Sequence, residues 1–216
     1  FVPTMGALHE GHMSLMNASA DHCDVTVCSI FVNPTQFNEK SDLDKYPITT
    51  QSDLNLLLQI GVNIVFLPGV AEIYPSGDQY AMPYNLGKLA EILEGAKRPG
   101  HFEGVVQVVD RLIDIVQPTT IFMGQKDFQQ FSIIQRMLDI NGKPTTLHVC
   151  PIIREHDGLA MSSRNVRLTK QDRLDALSLS RALRYIDENK YDHTPENLMQ
   201  KALQFLDNSN IKVEYL

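Results

Sequence analysis

TTIFMGQKDFQQFSIIQRMLDINGKPTTLHV, residues 119–149, reads as a complete strand–helix–strand unit. TTIFM (119–123) and TTLHV (145–149) each follow a proline and are short, apolar and rich in β-branched residues, the composition of buried strands. Between them, Phe128, Phe131, Ile134 and Leu138 recur at three- and four-residue spacing, which predicts a helix over 128–140. Asn141-Gly142 supplies its stop. Two strands joined through a helix of that length run parallel.

The same alternation extends towards the start of the chain. DVTVCSIFV (24–32) reads as a strand buried on both faces, and NIVFL (63–67) as another, following Gly61 and stopped by Pro68. Helical patterns cover 11–21, 50–60 and 105–116, and the chain opens on Phe1-Val2-Pro3 as though on the last residues of a strand. Strands alternating with helices predict an α/β fold with a doubly wound parallel sheet. After about residue 152 the texture changes. A long charged amphipathic helix is expected over 169–189, and Thr194-Pro195-Glu196 opens another, with Thr as N-cap and Pro at the first helical position. Residues 211–216 alternate like the start of a strand. The expected division is one domain over 1–152 and a smaller α+β domain over 153–216 that is cut short.

Composition narrows the function. Of the 216 residues, 43% are apolar and 21% charged, which is globular and excludes a disordered or coiled-coil chain. Lys and Arg number 19 against 26 Asp and Glu, a net charge of −7, so neither a nucleic-acid surface nor a basic membrane-binding face is expected. Cys23, Cys28 and Cys150 form neither a CxxC pair nor a disulfide framework, which points to a reducing compartment. No run of about 18 apolar residues suggests a membrane span.

Polar clusters fall where predicted strands end. PTMGALHEGH (3–12) sets His9 and His12 three apart at a helix start, where imidazolium side chains and free backbone N–H groups could cradle a phosphate chain. A metal pair is the competing reading, although His22 and Cys23 lie about a helix away. FVNPTQF (31–37) offers the amides of Asn33 and Gln36 to a small polar ligand, but also reads as an ordinary Asn-Pro turn. LEGAKRPGHFEG (93–104) reads as a mobile basic loop before a helix, with Arg98 and His101 as anion contacts or simply a solvated surface. GQKDFQQ (124–130) combines Gly124 for close backbone approach, Lys126 as a phosphate-binding charge and Asp127 for a ribose hydroxyl or metal-bound water. Gln130 lies one helical turn on from Lys126. DGLAMSSRN (157–165) supplies two hydroxyls and a guanidinium after a glycine, a phosphate clamp or a Ser-rich capping turn. The first, second and fourth of these leave carboxyl ends of predicted parallel strands, where open α/β sheets bind ligands. GxGxxG, GxxxxGK[ST] and GxSxG are all absent.

Taken in order, PTMGALHEGH, FVNPTQF, EGAKRPGHFEGV, KDFQQ and DGLAMSSRN closely resemble the pantothenate synthetase (pantoate–β-alanine ligase) family, over Phe1 to about Leu168. HxGH and MSSR resemble the HIGH and KMSKS signatures of the wider nucleotidyltransferase superfamily. The resemblance implies a Rossmann-like nucleotide- and pantoate-binding domain over 1–152 and part of an ATP lid over 153–216. It implies an ATP-dependent ligase: pantoate and ATP give a pantoyl adenylate and pyrophosphate, and β-alanine then releases pantothenate and AMP. ATP contacts would come from Met5, Gly6, Ala7, Leu8, His9, Glu10, Gly11 and His12, from Gly124, Gln125, Lys126 and Asp127, and from Ile153, Met161, Ser162, Ser163 and Arg164. Pantoate would meet Gln36, Gln130, Met5 and Asn33, with Arg98 and His101 nearby. His12, His9, Lys126 and Arg164 would carry catalysis, His12 being the family's proton donor. Mg²⁺ would bridge the phosphates through ligands the motifs do not specify. Gln125 stands where family members often have Glu, and family members extend beyond this chain at both ends. A cytoplasmic homodimer is implied. Two other readings stay open: another HxGH nucleotidyltransferase acting on a small phosphorylated or hydroxylated substrate, and a non-catalytic metal-binding module using His9, His12 and His22.

Overall fold

The computed structural model describes residues 1–77, 85–207 and 210–215. Among them the chain forms five short strands: β1 Val2–Thr4, β2 Val27–Ile30, β3 Ile64–Phe66, β4 Thr120–Gly124 and β5 Thr146–Cys150. Parallel pairing joins β1 to β2 with Val2 opposite Cys28, β2 to β3 with Val27 opposite Ile64, and β4 to β5 with Thr120 opposite Thr146. Two further bonds bring β4 against β1. Phe1 N donates to Thr120 O at 2.8 Å, and Phe122 N donates to Phe1 O at 2.9 Å. The spatial order is therefore 3-2-1-4-5, and chain direction across the sheet reverses between β1 and β4. That is the switch point of a Rossmann-like sheet, and the crevice at the carboxyl ends of those two strands is its natural ligand site.

The helices are α1 Glu10–His22, α2 Lys40–Asp44, α3 Thr50–Gln59, α4 Val70–Ile73, α5 Glu94–Lys97, α6 His101–Val116, α7 Phe128–Asn141, α8 Lys170–Asn189 and α9 Pro195–Asp207. Alternation along β4 separates two apolar layers. Ile121 and Met123 pack with the buried faces of α6 and α7, while Phe122 packs with Val2, Cys28, Leu57 and the Met13–Met16 face of α1. Helices thus cover both faces, as the parallel sheet requires. The cysteines are free, and burial pushes the Cys28 thiol up to about 12. No helix among the described residues is long and apolar enough to cross a membrane.

Several boundaries differ from expectation. The strand predicted over 24–32 is confined to Val27–Ile30; Asp24 and Val25 are exposed, and Phe31 and Val32 leave the sheet to enter the FVNPTQF turn. Residues 93–104 are not loop throughout. They hold α5, and α6 begins at His101, because Phe102 and His101 are buried and Gly100 takes the left-handed conformation needed to turn into the helix. On α7 the expected stripe is shifted: Phe128 is 63% exposed, and Gln129, Ile133, Ile134, Met137 and Leu138 face inward.

Contacts divide the chain into two units, Phe1–Ile152 and Ile153–Leu216. In the second, α8 and α9 pack through Ala182, Ala202 and Leu206. Thr169 caps α8 reciprocally with Asp172, and Pro195 opens α9. The strand expected over 211–216 is not formed in 211–215, and Leu216 lies outside the described residues.

Candidate active site

The turn after β1 is built to hold two imidazoles. His9 is the N-cap of α1, and its Nδ1 accepts the N–H of Gly11 at 3.1 Å. His12 occupies the third helical position, and its Nδ1 accepts the N–H of His9 at 3.3 Å. This is a capping box with histidines in both roles. A backbone N–H can only donate, so each Nδ1 presents its lone pair and each ring carries its proton on Nε2. Burial, then His9, then Lys126 push the His12 pKa down to about 3. His12 is therefore a neutral hydrogen-bond donor in the free protein, which corrects the expectation of an imidazolium.

The expectation of a group of free backbone N–H groups is corrected as well. Gly6 N donates to Thr4 Oγ1 at 3.2 Å, Ala7 N to Asp53 Oδ2 and Leu8 N to Asp53 Oδ1, both at 2.9 Å. His12 N and Met13 N both donate to His9 O. The donors that this turn offers a phosphate are chiefly the imidazole Nε2–H groups. Nor do the histidines assemble as a metal set. His22 lies at the far end of α1, where its ring packs on Phe122 and His148 and its Nδ1–H donates to Ala18 O.

Across the switch point, Gln125 N donates to Cys150 O and Asp127 N to Gly124 O, which turns the chain from β4 into α7. A Cβ on Gly124 would meet nothing within 4 Å, so that wall is open. Lys126 is partly exposed and pairs with its neighbour Asp127 at 2.9 Å. The Gln130 side chain is half-buried, and its amide has no hydrogen-bond partner among the described residues. Its neighbour Gln129, missed in the sequence, is fully engaged: it accepts from Glu94 N and donates to Leu89 O and Ile92 O, tying α7 to the segment before α5.

The FVNPTQF and RPGHF segments form one structure. Asn33, 1% exposed, donates to Gly104 O and Gln36 Oε1 and accepts from the Tyr74 hydroxyl, Thr35 N and Thr35 Oγ1. Its polar atoms fasten the turn. His101 Nδ1–H donates to Gln36 O at 2.7 Å, and Asn38 donates to Pro99 O. Gly104 lets the turn lie directly on α6, because a Cβ there would sit 2.5 Å from Thr35 O. The Gln36 side chain reaches back to β1, its Nε2 donating to Met5 Sδ at 2.9 Å. Arg98 is half-exposed at the end of α5. Met5 and Gly6 also border an open cavity of about 320 Å³ whose walls come from the carboxyl ends of β2 and β3.

In the second unit, Met161 N donates to Ile153 O, and Arg154 and Ala160 form an antiparallel bridge, so the DGLA segment folds back on itself. Ser162 caps a short 3-10 turn, Ser163–Arg167, accepting from Arg164 N. Arg173 on α8 braces this segment through Glu155 and Asp157, and Glu155 also accepts from Asn165. The arginine holds both carboxyls below their usual range: for Glu155 its hydrogen bond is the largest effect, and for Asp157 it outweighs burial together with the Leu159 N–H.

A turn presenting paired imidazole donors, that of His12 neutral, next to a lysine loop at the point where strand order reverses, fits the class of Rossmann-like nucleotidyltransferases. Within that class the family is fixed by comparison. The family model described as pantoate-beta-alanine ligase matches residues 1–216, and the chain belongs to this family. It is 47% identical to a pantothenate synthetase from Porphyromonas gingivalis, over 99% of this chain and 76% of that protein. It is 45% identical to one from Cytophaga hutchinsonii, over 100% of this chain and 77% of that protein. A crystal structure of pantothenate synthetase from Thermus thermophilus superposes with a TM-score of 0.93 at 40% identity, covering 97% of this chain and 76% of that one. A Francisella tularensis pantoate-beta-alanine ligase, complexed with beta-gamma ATP and beta-alanine, superposes with a TM-score of 0.83 at 40% identity, covering 95% and 77%.

Proposed function

We propose that this chain joins pantoate to β-alanine with ATP, by way of a pantoyl adenylate. The observation that carries the reading is the reciprocal His9–His12 cap, which leaves two Nε2–H donors, that of His12 neutral, beside Lys126 at the switch point. A carboxylate oxygen of pantoate attacks the α-phosphorus and pyrophosphate departs; the β-alanine nitrogen then attacks the acyl carbon and AMP departs. The first step brings anions together, so positioning and charge stabilisation supply most of the rate. Lys126 contributes the charge. His9 and His12 contribute donors that need no proton transfer, since pyrophosphate leaves as an anion.

The pantoate end is assigned to Gln36, Gln130 and Met5. The Gln36–Met5 contact and the unpartnered amide of Gln130 support this assignment. Gly124 and Asp127 are assigned to the ribose and the backbone of Ile153 to adenine. Ser162, Ser163 and Arg164 are assigned to the phosphates on family resemblance. Asn33 and His101 serve by fastening the Gln36 turn. Mg²⁺ fits only as a companion of the triphosphate. Among the described residues there is no cluster of three His, Cys, Asp or Glu to cage it, whereas one carboxylate such as Asp127, with phosphate oxygens and water, suffices for this ion. When bound it would neutralise phosphate charge. A cytoplasmic homodimer is the assembly and location that family resemblance supports.

The test measures pyrophosphate and AMP with ATP, pantoate and β-alanine omitted in turn. Pyrophosphate is expected from ATP and pantoate alone, and AMP only once β-alanine is added. Nucleotidyl transfer without an amine requirement would assign the chain to another branch of the class.

A further inference from the structure

The family's substrates account for His9, His12 and Lys126, but not for the carboxylate buried behind them. Asp53, in the first turn of α3, is 2% exposed. Its Oδ2 accepts the N–H of Ala7, and its Oδ1 accepts the N–H of Leu8 and the hydroxyl of Thr49, at 2.9, 2.9 and 3.1 Å. Gly6 and Ala7 both have positive φ, +79° and +49°, so the turn passes through two consecutive left-handed residues. For alanine that conformation costs on the order of 1 kcal/mol and must be held by its surroundings. Successive N–H groups in such a turn converge into an anion-binding nest. Here a resident carboxylate fills the nest, donated by a helix more than forty residues further along the chain. A Cβ on Gly6 would come within 3.0 Å of Asp53 Oδ2, so turn and carboxylate are fitted to one another.

We infer that Asp53 is a positioning residue for the ligation reaction: it locks the Gly6–Leu8 turn and thereby sets the direction of the His9 and His12 rings that follow. The chain of contacts is continuous. Asp53 fixes Ala7 N and Leu8 N, the next residue is the His9 N-cap, and His9 N in turn fixes Nδ1 of His12. The inference rests on the proposed use of those rings as donors to the nucleotide.

Asp53→Asn is the decisive variant. An amide offers one acceptor where the turn needs two, and its NH₂ would face a backbone N–H. Adenylate formation, read as pyrophosphate release, should slow on the order of a hundredfold, the scale of a misplaced catalytic group. Aminolysis of supplied pantoyl adenylate by β-alanine should change less than threefold or so, because it does not need the phosphate donors. Nitrogen-15 spectra of the free variant should show the His9 and His12 rings losing their single Nδ1-acceptor tautomer. Thr49→Val, which removes only one of the three bonds, should show the same pattern weakened. Equal slowing of both half-reactions would overturn the inference, as would unchanged ring tautomers. So would a raised Mg²⁺ requirement with normal tautomers, which would make Asp53 a metal ligand. The spectra are read without turnover, so a wild-type chain that fails to make AMP would sink the proposed ligase while leaving the Asp53 result to be judged separately.

Discussion

The rings of His9 and His12 stand 4.1 Å apart, and the Nδ1 of His12 is hydrogen-bonded to the backbone N–H of His9 itself. Protonating that nitrogen would break the cap, which adds to the burial that already keeps His12 neutral. In the free protein the His12 ring should therefore show no titration between about pH 5 and 8 by proton or nitrogen NMR. The linkage has a definite sign. The folded pKa of about 3 lies below the unfolded 6.5, so between those values the unfolded chain binds more protons and stability falls as pH drops. A His12 midpoint near 6.5 would refute the neutral-donor assignment.

Capping and donation are separable in His12. Asparagine can place an acceptor near the position of Nδ1 but has nothing at Nε2. His12→Asn should keep the melting temperature within a few degrees of wild type while slowing adenylate formation by more than about a hundredfold, the scale of a lost transition-state donor. His12→Ala should lose the same rate and also about 1 kcal/mol of stability, the worth of a cap. Lys126→Ala should slow the same step comparably without loss of stability, since its ion pair with Asp127 is exposed. Wild-type rates in either position would remove that residue from the mechanism.

Away from the site, Lys143 bonds Asp110 at 2.6 Å beneath the C-terminal end of α7, and Asp110 is 1% exposed. Lys143→Met takes the cation from that carboxylate, which keeps its bond from the Asn141 amide, and denaturant unfolding should show a loss of about 3 kcal/mol. Adding Asp110→Leu should recover much of it. Burial lowers the Lys143 pKa, but its bonds to Asp110 and Asp114 outweigh that and leave it raised. The pair's contribution is thus full below the unfolded value of 10.5 and disappears as pH rises through the folded one. A loss below about 1 kcal/mol in the single variant would show that water reaches Asp110.

The strand and helix pattern was legible because its signals are local. Apolar runs, the Asn141-Gly142 stop and the Thr169 cap each act over a few residues, and all appear in the structure. HxGH and GQKD were visible as candidates for the same reason. Asp53 was not, because its bonds reach back to Ala7 and Leu8, and nothing in TTQSDL distinguishes a helix-start aspartate from one that leaves its helix to fill another turn. The same holds for Gln129, while Asn33 was visible as a candidate but its fastening bonds were not, because its partners lie on α6 and at Tyr74. Local patterning also misread 93–104, because what turns that glycine-rich segment into helix is burial of Phe102 and His101 against distant residues.

Gly104 tests how closely the Gln36 turn depends on α6. By helix propensity alone, Gly104→Ala should stabilise α6 by about 1 kcal/mol. The added Cβ, however, would lie 2.5 Å from Thr35 O and 2.9 Å from Gln36 Cα, distances that force one backbone away from the other. Overpacking of this kind costs about 1–3 kcal/mol, so the net effect on the melting temperature should be a decrease. Movement of the turn carries Gln36 with it, because the Asn33–Gly104 and His101–Gln36 bonds couple the two segments. Pantoate affinity, measured by titration without ATP, should fall on the order of tenfold, while ATP affinity stays within about twofold. A variant more stable than wild type, with unchanged pantoate affinity, would mean that the turn relaxes away from α6 freely and that Gln36 owes nothing to the contact.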